Sequence, residues 1–220
     1  MKDFSTTSII IPTLNEEHNI VPLIQRLHEL YSKISVIVAD DGSTDNTQTN
    51  AKQQGVIVID RSGKIQGITA AVIDALTHVK TKNIIVMDAD FQHPPEKVAD
   101  IVDLLEKNDI VIAARRRVLG HWGFFRQLQS RIATLLAQLR IGNIKDPLSG
   151  FFGIKTELFH SIQKEKFELR CFKILVNILK STDVKKLRIA YVDYDFDMRT
   201  QDTSKIRLKH AYYFIRNILR

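Results

Sequence analysis

Short apolar runs alternate with helical stripes through the first half of the chain. Ser8–Pro12, Ser35–Ala39, Val56–Ile59, Asn83–Met87 and Ile110–Ala114 are continuous runs of strand length, the pattern of strands buried on both faces. Between the first two, Ile20, Leu23, Ile24, Leu27 and Leu30 fall at helical spacing within Glu16–Tyr31. Further helices are predicted over Gly67–Val79 and from Pro94-Pro95 to Lys107, since proline suits a first helical turn. Strand and helix in alternation predict an α/β fold, a mostly parallel sheet with helices on both faces. Ligands of such sheets bind beyond the carboxyl ends of the strands. Polar clusters follow the strands there: Asn15-Glu16, Asp40-Asp41, Asp88-Ala89-Asp90 and Arg115.

The second half reads differently. His121–Arg140 predicts a helix with a stripe of Phe125, Leu128, Ile132, Leu135, Leu136 and Leu139, and the Leu128–Leu139 part is expected in the core. Arg126 and Ser130 share another face of it, four residues apart. A loop spans Asn143–Gly150, and Phe167–Lys180 reads as helix. Leu187–Met198 alternates, with Val192, Tyr194, Phe196 and Met198 on one face and Asp193, Asp195 and Asp197 on the other. That is a strand with one wet face. Ile206–Leu219 closes the chain as a helix that is apolar on one side and basic around it. The Trp122–Phe125 stretch and this helix suit the headgroup layer of a membrane.

Charge sharpens the division. Of the 220 residues, 1–110 carry 10 Lys and Arg against 16 Asp and Glu, net −6; 111–220 carry 22 against 9, net +13. An acidic half suits a metal ion, and a basic half suits phosphates, nucleic acid or an anionic membrane. The single cysteine, Cys171, excludes an internal disulfide framework. No uncharged apolar run reaches the length of a membrane span, and no leader peptide is visible. No GxGxxG follows the first strand, which argues against a dehydrogenase.

Asp88 and Asp90 close an apolar strand with Gln92 and His93 just beyond. Hard oxygens so placed suit Mg²⁺ or Mn²⁺ bridging a diphosphate; the same residues also read as a solvated capping turn. Asp40 and Asp41 can accept hydrogen bonds from a base or ribose, while Ser43–Thr47 reads as turn and cap chemistry.

Taken together, Pro12-Thr13-Leu14-Asn15-Glu16, Asp40-Asp41-Gly42-Ser43-x-Asp45-x-Thr47 and Asp88-Ala89-Asp90-x-Gln92-His93-Pro94-Pro95-Glu96 resemble the family 2 glycosyltransferases with a GT-A fold. Asp146–Phe152 (DPLSGFF) and Arg199-x5-Lys205 narrow the resemblance to the dolichol-phosphate mannose synthases and their polyprenyl-phosphate relatives. The resemblance implies one GT-A domain over 1–220, with 1–115 as the nucleotide-sugar half and 116–220 as the acceptor and membrane-facing half. It implies that Pro12, Leu14, Glu16, Ala39 and Asp41 hold the nucleotide, with Asp88 and Ala89 continuing the donor site. Asp90 and Gln92 would hold Mg²⁺ or Mn²⁺. Arg115, Arg199 and Lys205 would contact the donor phosphates, and Arg126, Ser130 and Arg199 the phosphate of the lipid. Leu14 stands where relatives often carry Tyr, and Gln201-Asp202-Thr203 replaces a glycine-bearing stretch.

The expected activity is inverting transfer of a hexose, with GDP-mannose as donor and a polyprenyl or dolichyl phosphate as acceptor. The enzymatic alternative is glucose or an aminosugar from a UDP-sugar onto undecaprenyl phosphate. A phosphate acceptor is already ionised and needs cations rather than a general base, and the second half supplies Arg115, Arg116, Arg117, Arg126 and Arg131. Expected partners are the nucleotide-sugar, the lipid phosphate, a membrane surface and a membrane-anchoring subunit, with the chain peripheral on the cytoplasmic face. A nucleic-acid-binding module leaves the acidic first half unexplained, and a non-catalytic subunit leaves the metal and phosphate residues unexplained.

Overall fold

A computed structural model describes residues 3–118, 124–196 and 208–219. Seven strands form one sheet: β1 (Thr7–Thr13), β2 (Ser35–Asp40), β3 (Ile57–Asp60), β4 (Asn83–Val86), β5 (Ile110–Val118), β6 (Phe152–Lys155) and β7 (Ile189–Phe196). Their order is β3-β2-β1-β4-β6-β5-β7. Neighbours pair in parallel except β6, which runs antiparallel to both β4 and β5. The helices are α1 (Ile20–Leu30), α2 (Thr47–Gln53), α3 (Ile68–Ala75), α4 (Val98–Leu105), α5 (Phe124–Ile141), α6 (Thr156–Ser161), α7 (Ile174–Lys180) and α8 (Leu208–Leu219).

The apolar strand runs are read on both faces, as period two dictates. Ile9, Ile11, Val36, Val38, Ile85 and Met87 turn to the layer that holds α1 and α4. Ile10, Ile37, Ile84, Val86, Ile112 and Ile154 turn to the layer that holds α3 and α7. The second layer is capped by a smaller cluster in which Phe214 and Ile218 of α8 meet Ala137 of α5 and Cys171.

One strand is additional to the expected elements, and two expectations need correction. β6, Phe152–Lys155, is four residues long with no alternation, and it enters the sheet through DPLSGFF. Helix is expected from Phe167, but α7 begins only at Ile174, because residues 167–173 form an irregular segment whose carbonyls cap α3. Thr69 N–H donates to Cys171 O and Ala70 N–H to Leu169 O. The Leu128–Leu139 stripe is not core. Leu128, Ile132, Leu135, Leu136 and Leu139 are all exposed, Leu139 by 76%, while among the described side chains of α5 Ala137 and Ile141 are buried. Helix α5 packs on α7 and α8 through the face that carries Ala137, which leaves the leucine stripe outward.

Gly153 of β6 lets α4 lie directly on the sheet: a Cβ there would stand 2.5 Å from Ile101 Cγ2 and 2.8 Å from Leu105 Cδ1. Gly153→Val should cost about 1–3 kcal/mol by overpacking. Urea unfolding of the full chain measures it, and an unchanged midpoint would contradict this packing.

Candidate functional site

The strand order reverses between β1 and β4, and sheets of this kind open a ligand crevice at such a switch point, beyond the carboxyl ends of the strands. Every cluster expected at the site lies on that edge. The loops after β1 and β2 are joined side by side. Asn15 N–H donates to Ser43 Oγ at 2.7 Å, Thr44 N–H to Asn15 Oδ1 at 2.8 Å, and Glu16 N–H to Thr47 Oγ1 at 2.8 Å. Asn15 (φ 53°), Phe91 (φ 59°) and Asp146 (φ 46°) are the non-glycine residues with left-handed backbone among those described, and all three border the crevice. Such conformations cost of order 1–3 kcal/mol each and persist where surrounding bonds over-determine them.

The adjacent acids after β2 divide their work. Asp40 is fully buried and accepts from Thr13 Oγ1, Gly42 N–H, Ser43 N–H, Ser43 Oγ and Gln48 Nε2. With both oxygens saturated by the protein, Asp40 builds the loop and is not a ligand for a base or ribose, contrary to the expectation for the pair. Asp41 meets the Arg61 guanidinium through Oδ1 and accepts Gly67 N–H at Oδ2, 2.7 Å. Arg61, 2% exposed, also holds Asp74 at 2.9 Å. Gly67 (φ 147°) must be glycine, since a Cβ would stand 2.6 Å from Leu169 O. Pro12 and Ala39 are paired across β1 and β2; Ala39 is fully buried and offers the crevice only backbone.

Beyond β4 the chain makes a tight turn. Asp90 is 5% exposed and its Oδ1 accepts Gln92 N–H at 3.2 Å. The Asp88 side chain is 37% exposed. One carboxylate and one amide oxygen from Asp90 and Gln92, with Asp88 beside them, fit Mg²⁺ or Mn²⁺. Such ions take one or two carboxylates and complete their shell with phosphate oxygens and water. Among the described residues no three His, Cys, Asp or Glu side chains converge into a cage.

Arg115 closes the far side. Its Nε and Nη2 grip Asp146 at 2.8 and 2.7 Å, and its backbone N–H adds a third bond at 3.1 Å. The bulge between Arg115 and Arg117 in the β5–β7 register turns Arg116 outward to Asp195 while Arg115 stays inside. Burial opposes the Asp146 charge, but the Arg115 guanidinium outweighs it and holds the carboxyl below its ordinary range. Lys173, at the start of α7, feels the same field. Burial and then Arg115 push its ammonium down from the usual lysine range, against Asp88 and Asp146.

Pro12, Leu14, Glu16, Ala39, Asp41, Asp88, Ala89, Asp90, Gln92 and Arg115 therefore gather at one edge. Ser130 lies on α5, where its carbonyl accepts from Thr134. Arg126 is on the same helix, but its side chain lies outside the described residues, as do Arg199, Lys205 and Trp122. Sequence reasoning missed Arg61, Lys173 and the partner role of Asp146. The last was legible as the one acid in DPLSGFF; Lys173 was hidden by reading 167–180 as helix.

This fold and site define a glycosyltransferase of the GT-A kind. The Glycosyl transferase family 2 model matches residues 8–163, and the chain belongs to that family. It is 30% identical to a dolichol-phosphate mannosyltransferase of Pyrococcus furiosus, over 97% of this chain and 62% of that protein. It is 28% identical to the Saccharomyces cerevisiae protein of the same name, over 96% of this chain and 85% of that one. Among solved structures, mannosyl-3-phosphoglycerate synthase from Rubrobacter xylanophilus superposes with TM-score 0.74 at 21% identity, over 97% of this chain and 72% of that one. Glucosyl-3-phosphoglycerate synthase from Mycobacterium tuberculosis, solved with Mn²⁺, UDP and phosphoglyceric acid, gives TM-score 0.74 at 25% identity, over 97% and 76%.

Asp146→Asn should destabilise the chain by about 2–4 kcal/mol at neutral pH, because Arg115 is left buried without its counter-charge. The Asp146 carboxyl sits below its ordinary 3.8, so the stability it supplies is complete above that value and is lost as pH falls through the folded value. The gap between wild type and variant in urea unfolding should be full at pH 7 and shrink below pH 3.8. A gap that stays constant with pH would refute the pairing.

Proposed function

We propose that the chain transfers a mannosyl group from GDP-mannose to the phosphate of a polyprenyl lipid, with dolichyl phosphate the favoured form, giving a β-linked lipid-phosphate sugar. The observation that carries this reading is the disposition of the crevice aspartates. Asp41 and Asp146 are tied to arginines, and Asp88 and Asp90 belong to the turn we assign to the donor diphosphate. That leaves the aspartates committed to binding rather than to proton abstraction, which suits an acceptor that arrives ionised. The mannosyltransferases that align with nearly the whole chain support the same choice.

In this reading Pro12, Leu14, Glu16, Ala39 and Asp41 hold the nucleotide. A divalent ion on Asp90 and Gln92 would neutralise the leaving diphosphate. An oxygen of the lipid phosphate attacks the anomeric carbon from the opposite face. The bond from that carbon to the diphosphate oxygen breaks, and the electron pair leaves with the nucleoside diphosphate. No proton has to be removed from the nucleophile. Arg115, aligned by Asp146, faces the donor phosphates, while Arg126, Ser130, Arg199 and Lys205 receive the phosphate of the lipid.

The chain would work at the cytoplasmic face of a membrane, where a membrane-anchoring subunit would add to its attachment. No helix among the described residues is long and apolar enough to cross a membrane. The exposed stripe of α5, with Tyr212 (61%) and Ile215 (49%) of α8 exposed as well, suits the headgroup layer. Neither helix contains an Asp or Glu, so anionic lipid meets only cations, each worth about 1 kcal/mol near the surface.

A donor screen tests the chemistry. With Mn²⁺ or Mg²⁺ and a short polyprenyl phosphate, nucleoside diphosphate should be released from GDP-mannose and not from UDP-glucose or UDP-N-acetylglucosamine. Release from a UDP-sugar alone would change the donor, and release with 3-phosphoglycerate replacing the lipid would change the acceptor. Asp90→Ala should reduce release at least a hundredfold, on the order seen for lost transition-state electrostatics, with the unfolding midpoint retained.

The membrane reading has its own test. Leu135→Ser with Leu139→Ser should leave stability within about 0.5 kcal/mol, as at exposed sites, while weakening sedimentation with vesicles rich in anionic lipid. Unchanged sedimentation would remove the stripe from the docking face.

A further inference from the structure

We propose that His93 is the positioning residue of the 88–92 turn: it fixes the shape in which Asp90 and Gln92 take a divalent ion, without itself touching ion or donor. The inference rests on the metal reading above. His93 Nδ1 accepts the Asp88 backbone N–H at 2.9 Å. An amide donor on Nδ1 requires the neutral imidazole with its proton on Nε2. That Nε2 stands 3.8 Å from Asp88 Oδ2. One ring therefore faces both the main chain and the carboxylate of Asp88, and closes the turn on itself from its far end.

The ring is held from every side. It stacks on Phe151, with centroids 5.2 Å apart and planes 20° apart, and meets Tyr194 edge-on at 6.2 Å. Phe151 is fully buried, and its backbone is bonded to Ser149 Oγ, which also donates to Ala113 O at 2.7 Å. Gly150 leaves the remaining space: a Cβ there would stand 3.1 Å from His93 Cε1 and 3.2 Å from Asp88 Oδ2. The ring is 3% exposed, so Nδ1 has the Asp88 N–H as its donor in place of solvent.

The turn needs such a brace. Phe91 is a bulky residue in left-handed backbone, directly between Asp90 and Gln92. A strained turn relaxes unless its surroundings over-determine it. Relaxation here would break the bond from the Gln92 backbone N–H to Asp90 Oδ1 and turn the carboxylate away from residue 92. A histidine that only filled space would use its rings and methyl neighbours and leave Nδ1 indifferent, whereas this one places Nδ1 on the first residue of the turn.

The test compares substitutions that keep or remove the acceptor. Asn places Oδ1 where His has Nδ1; Leu keeps volume and has no acceptor. Mn²⁺ binding to the full-length chain is followed by electron paramagnetic resonance, beside Mn²⁺ activation of nucleoside diphosphate release. His93→Leu should weaken Mn²⁺ binding by about ten- to a hundredfold, the usual effect of losing an outer-shell partner. Its turnover at saturating Mn²⁺ should return close to wild type. His93→Asn should stay within about threefold of wild type, a fraction of that outer-shell loss. A folded His93→Leu chain that binds Mn²⁺ like wild type would overturn the proposal, as would His93→Asn binding as poorly as His93→Leu. If His93→Leu does not fold, Gly150→Ala presses on the same ring and carboxylate from the other side. It should weaken Mn²⁺ binding likewise, and unchanged binding would overturn the proposal. Wild-type chain that binds no Mn²⁺ would remove the metal reading itself, and this inference with it.

Discussion

Parallel pairing is the constraint from which the site follows. A strand that continues in parallel to its neighbour must return over a face of the sheet, so every loop leaving a strand's carboxyl end reaches the same edge. β1, β2, β4 and β5 deliver Asn15, Asp41, Asp88 and Arg115 there. The antiparallel β6 adds to the same edge from the opposite direction, because its amino end lies where its neighbours' carboxyl ends lie. That single reversal brings Asp146 and Gly150 to Arg115 and to the 88–93 turn. Without β6 the carboxylates after β2 and β4 would have no Asp146 or Gly150 opposite them.

The carboxylates of this edge differ by what surrounds them, not by type. Asp40 is consumed by five donors and shapes a loop. Asp41 is aligned by a buried arginine and a glycine amide. Asp146 serves Arg115. Asp88 and Asp90 remain beside a neutral histidine that supplies no charge to compete with a cation. Charge balance follows from this division: each acid drawn into the interior has a cation or a set of N–H donors at hand, as burial demands.

The fold was legible in the first half because strands buried on both faces are written as continuous apolar runs, and each ends at a polar cluster. Asp41, Asp88, Asp90 and Arg115 were legible for the same reason. What escaped reading has physical causes. β6 is too short for periodicity to show, and its partners are set by distant pairing. The 167–173 segment looks helical because its apolar spacing serves two masters, the core under Phe167 and the capping of α3. Lys173 and Arg61 look like surface cations until the fold turns them inward. The stripe of α5 has the spacing of a core helix, and spacing records that a face is apolar, not what covers it.

The same 167–173 segment explains how two halves of opposite charge become one site. Its carbonyls cap α3 directly behind Gly67, and Gly67 N–H holds Asp41. Its other side receives α8: Arg216 pairs with Glu168 at 3.3 Å, Asn217 Nδ2 donates to Cys171 Sγ at 3.6 Å, and Arg170 lies over the Tyr213 ring. Asn177 of α7 joins the two sides, donating to Thr69 Oγ1 and accepting Glu168 N–H. The helix with the exposed Tyr212 and Ile215 and the aspartate assigned to the nucleotide thus share one buried polar wall. Such a network is costly when broken, because the buried polar groups it joins would be left without hydrogen bonds in a low-dielectric interior. It fixes the outward face of α8, with Tyr212 and Ile215, relative to Asp41 and the loop that holds it.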